Sequence, residues 1–279
     1  MPKPLLLGTL TVLVLLGATC ASALMPQPPP PYLFDAPALW VELPKDLDEI
    51  SGLDRVDDRT LVAVQDEDGI VYHLDAETGA LLREVEFEDD GDYEGIAHVA
   101  GRLFVLRSDG RLYELSDVRA DAPKVREHRT PLDDDQDTEG LVYDAQTHRL
   151  LIACKEEPGP GAPEPGVRTI HAYSLEIESM AAEPAFVLDR DRLRADGRAF
   201  KPSALALHPL TGRLYVLSSV RRALAVLEPD GQLYAVWDLP KSLLAQPEGL
   251  AFLSNGDLFV ASEADGEKAV LARFAYQPE

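Results

Sequence analysis

Ser51-Gly52-Leu53, Glu94-Gly95-Ile96, Glu139-Gly140-Leu141, Ser203-Ala204-Leu205 and Glu248-Gly249-Leu250 are five versions of one phrase, and each opens an apolar strand pattern. Their first residues lie 43, 45, 64 and 45 positions apart. A self-similar unit of about 40–45 residues is the sequence mark of a β-propeller blade, four short antiparallel strands set around a common axis. One repeat reads without a gap. Strand patterns at residues 203–207, 213–218, 222–227 and 232–239 are separated by His208-Pro-Leu-Thr-Gly212, Val220-Arg221 and Pro229-Asp-Gly231, which are hairpin connections.

The second strand of every repeat carries the same apolar centre: Thr60-Leu-Val-Ala-Val64, Arg102-Leu-Phe-Val-Leu106, Arg149-Leu-Leu-Ile-Ala153, Arg213-Leu-Tyr-Val-Leu217 and Asp257-Leu-Phe-Val-Ala261. A run without alternation suits a strand covered on both faces by neighbouring blades. The 64-residue interval is 19 longer than its neighbours, too little for another blade. Two stretches account for it, the Pro/Gly-rich residues 156–166 and the polar residues 189–201, the latter with room for a turn of helix. Only three strand patterns follow Glu248, so Ala38-Leu-Trp-Val-Glu-Leu43 must supply the fourth and close the ring. The expected fold is all-β, a single propeller of about five four-stranded blades, with six as the alternative if a loop hides strands.

At the N-terminus, Lys3, an apolar run from Leu5 to Gly17 and Ala21-Ser-Ala23 read as an export signal with cleavage after residue 23. The expected organisation is signal (1–23), Pro-rich linker (24–34) and propeller (35–279), in the periplasm or cell envelope. An uncleaved anchor or lipidation at Cys20 is the alternative, and the only contact with a membrane then expected. Cys154 would be left without a disulfide partner, a buried thiol on a second strand.

Asp48-Glu-Ile-Ser-Gly-Leu53, Val62-Ala-Val-Gln-Asp-Glu67, Gly91-Asp-Tyr-Glu-Gly-Ile-Ala97, Glu139-Gly-Leu-Val-Tyr143, Lys201-Pro-Ser-Ala-Leu-Ala206 and Gln246-Pro-Glu-Gly-Leu-Ala251 resemble the SdiA-regulated family of bacterial envelope proteins. The resemblance implies an exported or membrane-tethered propeller, similar to other calcium-holding propellers, with no firmly assigned reaction. It informs fold more than function.

In a propeller the loop leading into the innermost strand and the loop leaving the second strand share one face. That rule gathers Glu49, Ser51, Glu94, Glu139, Ser203 and Glu248 with Gln65, Asp66, Arg107, Lys155, Ser218 and Glu263 around one mouth. Two loops there alternate acids, Glu88, Asp90, Asp92 and Glu94, then Asp133, Asp135, Asp137 and Glu139. Hard cations prefer six to eight oxygen ligands, which makes Glu94, Glu139, Glu248 and Glu263 the candidate Ca²⁺ ligands. Glu49, Gln65, Asp66, Arg107, Lys155, Ser203 and Ser218 are the candidate ligand-binding set. The alternative is a solvated acidic rim in which Arg107 and Lys155 pair with Glu94 and Glu139.

A net charge of −23 opposes nucleic acid and anionic membrane surfaces and favours cations or basic partners. Six scattered histidines offer no transition-metal spacing, and no nucleophile elbow, zinc-protease helix or P-loop occurs. The expected function is a monomeric ligand-binding or interaction scaffold with a calcium-type cation at its mouth, for an unidentified small molecule or protein. A calcium-assisted hydrolase of lactonase or phytase type, using the same mouth, is the alternative.

Overall fold

The computed structural model describes residues 27–120, 122–266 and 268–278. Strand β1 (Leu39–Glu42) precedes a complete sheet of β2 (Ile50–Asp57), β3 (Thr60–Gln65), β4 (Ile70–Asp75) and β5 (Leu81–Glu86). The next sheet is β6 (Tyr93–Val99), β7 (Arg102–Arg107), β8 (Leu112–Ser116) and β9 (Lys124–His128). The third comprises β10 (Thr138–Asp144), β11 (Arg149–Cys154), β12 (Arg168–Ser174), β13 (Ser179–Met180) and β14 (Phe186–Leu188). The fourth is β15 (Ala204–Leu207), β16 (Leu214–Ser218), β17 (Ala223–Leu227) and β18 (Leu233–Asp238). Finally β19 (Gln246–Phe252), β20 (Leu258–Glu263) and β21 (Val270–Phe274) are joined by β1, antiparallel to β21 from Leu39 opposite Arg273 to Glu42 opposite Val270. Five blades result, and the N-terminal strand closes the ring as the sequence requires.

The second strands show why their signature is continuous. Leu61 and Ala63 pack toward the terminal blade, while Val62 and Val64 pack toward the next one. Leu103 and Val105 face backward in the same way, and Phe104 and Leu106 forward. Burial on both faces removes the polar alternation of an ordinary antiparallel strand. Glycine in the repeated phrase has an equally local cause. A Cβ on Gly52 would lie 2.9 Å from the Gly95 Cα, and one on Gly95 would lie 2.7 Å from the Leu141 Cβ. The innermost strands therefore meet almost backbone to backbone at the axis.

Both long connections belong to the third blade. Its fourth strand is split: β13 pairs with Tyr173 and Ser174, and β14 with Arg168, Thr169 and Ile170. After β14, the helical turn α1 (Arg190–Leu193) is capped by Asp189, whose carboxylate accepts the Asp191 and Arg192 N–H groups. Cys154 is buried and unpaired, and burial pushes its thiol up to about 11.

The Pro-rich segment lies on the propeller from Gln27 onward. Gln27 Oε1 accepts the Val236 N–H (2.6 Å), the Pro28 carbonyl accepts Trp237 Nε1–H (3.0 Å), and the Pro31 carbonyl accepts the Gln277 N–H (2.8 Å). Tyr32 and Phe34 are buried between the fourth and terminal blades. The expected export signal, Cys20 and residues 24–26 lie outside the described residues.

Candidate functional site

The carboxylates of the repeated phrase owe their direction to irregular pairing. Strand register slips between Tyr93 and Gly95, between Thr138 and Gly140, and between Pro247 and Gly249. Glu94, Glu139 and Glu248 are the extra residues, and a β-bulge at the start of an innermost strand re-aims a side chain toward the axis. The first blade has its slip between Ile50 and Leu53, where Ser51 takes that place. Residues leaving the second strands stand beside them. Asp66 N donates to the Glu49 carbonyl (3.3 Å), Ser108 N to the Asp92 carbonyl (2.9 Å) and Lys155 N to the Asp137 carbonyl (2.9 Å).

Three carboxylates converge where the terminal and first blades meet. Glu49, Asp66 and Glu263 each offer an oxygen, and these atoms all lie within 4.8 Å of one another. At that separation two full charges repel by about 3.5 kcal/mol for an effective dielectric constant of about 20. Burial, reinforced by Glu248, Asp66, Glu49 and Glu94, pushes the Glu263 carboxyl up to about 9. Burial followed by Glu49 and Asp92 raises Asp66 to about 6. Gln246 Nε2 donates to Glu263, whereas Asp66 Oδ1 is buried with no hydrogen-bond partner.

Glu94 and Glu248 extend this acidic wall. Burial pushes Glu94 up to about 8, with Asp92 and Glu248 adding to the shift and a 2.5 Å hydrogen bond from Ser51 Oγ opposing it. Glu248 rises to about 7 through burial, opposed by the charge of Lys155 and by hydrogen bonds from Ser219 and Gln246. Opposite them, Lys155 Nζ donates to Glu139 Oε1 and lies 3.7 Å from Asp137. Glu139 is only 2% exposed, and its Oε2 has no partner. Lys201 Nζ binds Glu156 on the same side. The mouth is thus polarised, with acids held by hydroxyl and amide donors on one side and lysine-paired acid on the other.

Several candidates from the sequence turn elsewhere. Arg107 still belongs to its strand, opposite Tyr93, and its guanidinium binds Asp109 rather than Glu94. Gln65 Oε1 accepts the Glu67 N–H (2.8 Å), Ser218 Oγ accepts the Lys201 N–H (3.0 Å), and Ser203 Oγ donates to the Pro247 carbonyl (3.3 Å). These three shape mouth loops by holding backbone. Asp92 and Ser219 instead act on the mouth carboxylates Glu94 and Glu248, and Asp137 lies beside Lys155. Their signal in the sequence is an offset of two residues before the phrase, or one residue beyond the second strand.

The arrangement offers oxygen ligands of the type preferred by hard cations. A second polar chain, Tyr173 OH to His128 Nδ1 (3.2 Å) and His128 Nε2 to Glu114 (2.9 Å), is buried between the second and third blades. Its burial makes it a lock between blades.

A profile of the family described as SdiA-regulated matches residues 42–265, a span containing every mouth residue named above. The chain belongs to the SdiA-regulated family. Solved structures similar to this SdiA-regulated propeller include Myxococcus xanthus glutaminyl cyclase, at 14% identity over 88% of this chain and 97% of that one, with a TM-score of 0.60. A streptogramin B lyase is 11% identical over 85% and 98% of the two chains, TM-score 0.52. A luciferin-regenerating enzyme is 13% identical over 86% and 95%, TM-score 0.52. At these identities the likeness is one of fold.

Proposed function

We propose that this protein is a ligand-binding or interaction propeller whose acidic mouth holds a hard cation of the Ca²⁺ type. The convergence of Glu49, Asp66 and Glu263 within 4.8 Å supports the reading. The orphaned Asp66 oxygen and the neighbouring Glu94 and Glu248 carboxylates, held by Ser51 and by Ser219 and Gln246, fit an oxygen-only ligand set. Glu139 serves as the partner of Lys155, outside that set. Calorimetric titration of chelated protein with Ca²⁺ should give saturable binding in the wild type and at least a tenfold loss of affinity in the Asp66→Asn/Glu263→Gln pair. Equal affinity in both would reject the site.

A hydrolase reading uses the same mouth. The cation would polarise an ester or phosphate, and Glu94 or Glu248, whose raised carboxyls titrate near neutrality, would act as general base. Its test is a lactone and phosphoester screen with and without Ca²⁺; turnover only with the ion would favour it over a pure scaffold.

We place the chain in the periplasm or cell envelope on the strength of its N-terminal sequence. Mass spectrometry of cell fractions should find an N-terminus near residue 24, or a lipid-modified Cys20 for the tethered form. An intact Met1 on a cytoplasmic pool would contradict both.

A further inference from the structure

On the hairpin side of the ring, away from the mouth, the interface between the first and second blades opens into a cleft of about 860 Å³. Val56, His73, Arg83, His98, Leu103 and the turn at residues 117–120 line it. Such a volume suits a small organic molecule.

The repeat itself supplies a comparison. Matched by strand pairing, His73 and Arg83 stand where the fourth blade has Val226 and Ala235. His98 and Leu103 stand where the terminal blade has Phe252 and Leu258, and Gly101 stands at Gly256. Between the fourth and terminal blades this space is filled by the chain's own rings. Tyr32 packs on Phe34 and Tyr276, its hydroxyl donates to the Gly256 carbonyl (2.9 Å), and Tyr276 comes within 2.9 Å of the place a Cβ on Gly256 would occupy. Gly101 has nearly the same φ, +84° against +90°, yet nothing lies within 4 Å of the corresponding point. One cleft holds aromatic rings, and its counterpart is open.

The open cleft also differs in charge. Arg83 is pinned at its wall by donating to the Val118 and Ala120 carbonyls, and Arg119 lies on the rim. Burial lowers the pKa of His73 and His98, keeping both imidazoles neutral. His98 Nε2 accepts the Gly101 N–H (3.1 Å), so its proton sits on Nδ1 as a donor. Of the described acids lining it, Asp57 accepts the Arg59 N–H (2.9 Å) and Asp117 pairs with Lys124 (2.7 Å).

We propose that this cleft binds a small aromatic molecule bearing a carboxylate, with its ring against Val56 and Leu103 and its carboxylate toward Arg119 on the rim. The ring takes the place that Tyr32 and Tyr276 occupy at the matching interface, and arginine supplies the fork that carboxylates prefer.

The probe is 4-hydroxyphenylacetate, titrated into the ¹⁵N-labelled chain and followed by amide shifts. Saturable shifts at His98, Gly101, Leu103 and residues 118–120 are expected. Affinity should fall at least fivefold in Arg119→Ala and for the neutral 4-hydroxyphenylacetamide. Val56→Trp, which fills the cleft, should weaken binding at least tenfold, and Ala120→Trp on the exposed turn plugs it from the other side should Val56→Trp fold poorly. Absence of saturable shifts at these amides, or unchanged affinity in Arg119→Ala and a folded plugged variant, overturns the proposal.

Discussion

Glu139 and Glu263 are both candidate Ca²⁺ ligands from the sequence, and their neighbours separate them. Position 155 carries a lysine where the first and terminal blades carry Asp66 and Glu263, so Glu139 gains a tethered cation while Glu263 faces four further carboxylates. Lysine was visible in the sequence; which carboxylate it would reach was not, because a bulge shifts the facing of each phrase acid. A consequence at this scale concerns pH. Glu94, Glu248, Glu263 and Asp66 all have carboxyls raised above their ordinary values, so these four groups bind more protons in the folded protein than in the unfolded chain. His73, His98, His171 and His208 are lowered by burial and act the other way below about 6.5, so stability of cation-free protein should fall as pH rises from about 7 toward about 9. Added Ca²⁺ should restore it most at the alkaline end. Melting scans in chelator across that range check the sign, and a melting temperature that climbs steadily across it would contradict it.

Elements were legible wherever both faces of a strand are buried or the backbone must approach the axis. The continuous runs of β3, β7 and β20 and the glycines of the phrase announced themselves for those reasons. The divided outer strand of the third blade did not, since β13 and β14 together span only five paired positions and carry little apolar pattern. The strap at residues 27–34 was also hidden, because proline-rich sequence reads as a spacer and its anchors are three side chains, Gln27, Tyr32 and Phe34, and two carbonyls. Tyr32→Ala should cost about 3–5 kcal/mol, the range for truncating a buried aromatic. Removal of residues 27–43 should cost more, as it strips β1 from β21 and exposes a sheet edge. Denaturant unfolding measures both. A loss under about 1 kcal/mol for Tyr32→Ala would mean the strap is not seated as described.

For the whole molecule, the acidic mouth and the hairpin-side cleft share no lining residue and are separate sites. Excess negative charge makes the mouth an attractor for cations over more than contact distance, with a range set by ionic strength. The central claim is that a hard cation sits where the terminal and first blades meet. Anomalous diffraction from crystals soaked in Tb³⁺, a luminescent and strongly scattering stand-in for Ca²⁺, tests it most directly. The peak should lie among Glu49, Asp66 and Glu263 and be displaced by excess Ca²⁺; a peak on the Glu139 and Lys155 side, or none within the mouth, would contradict it.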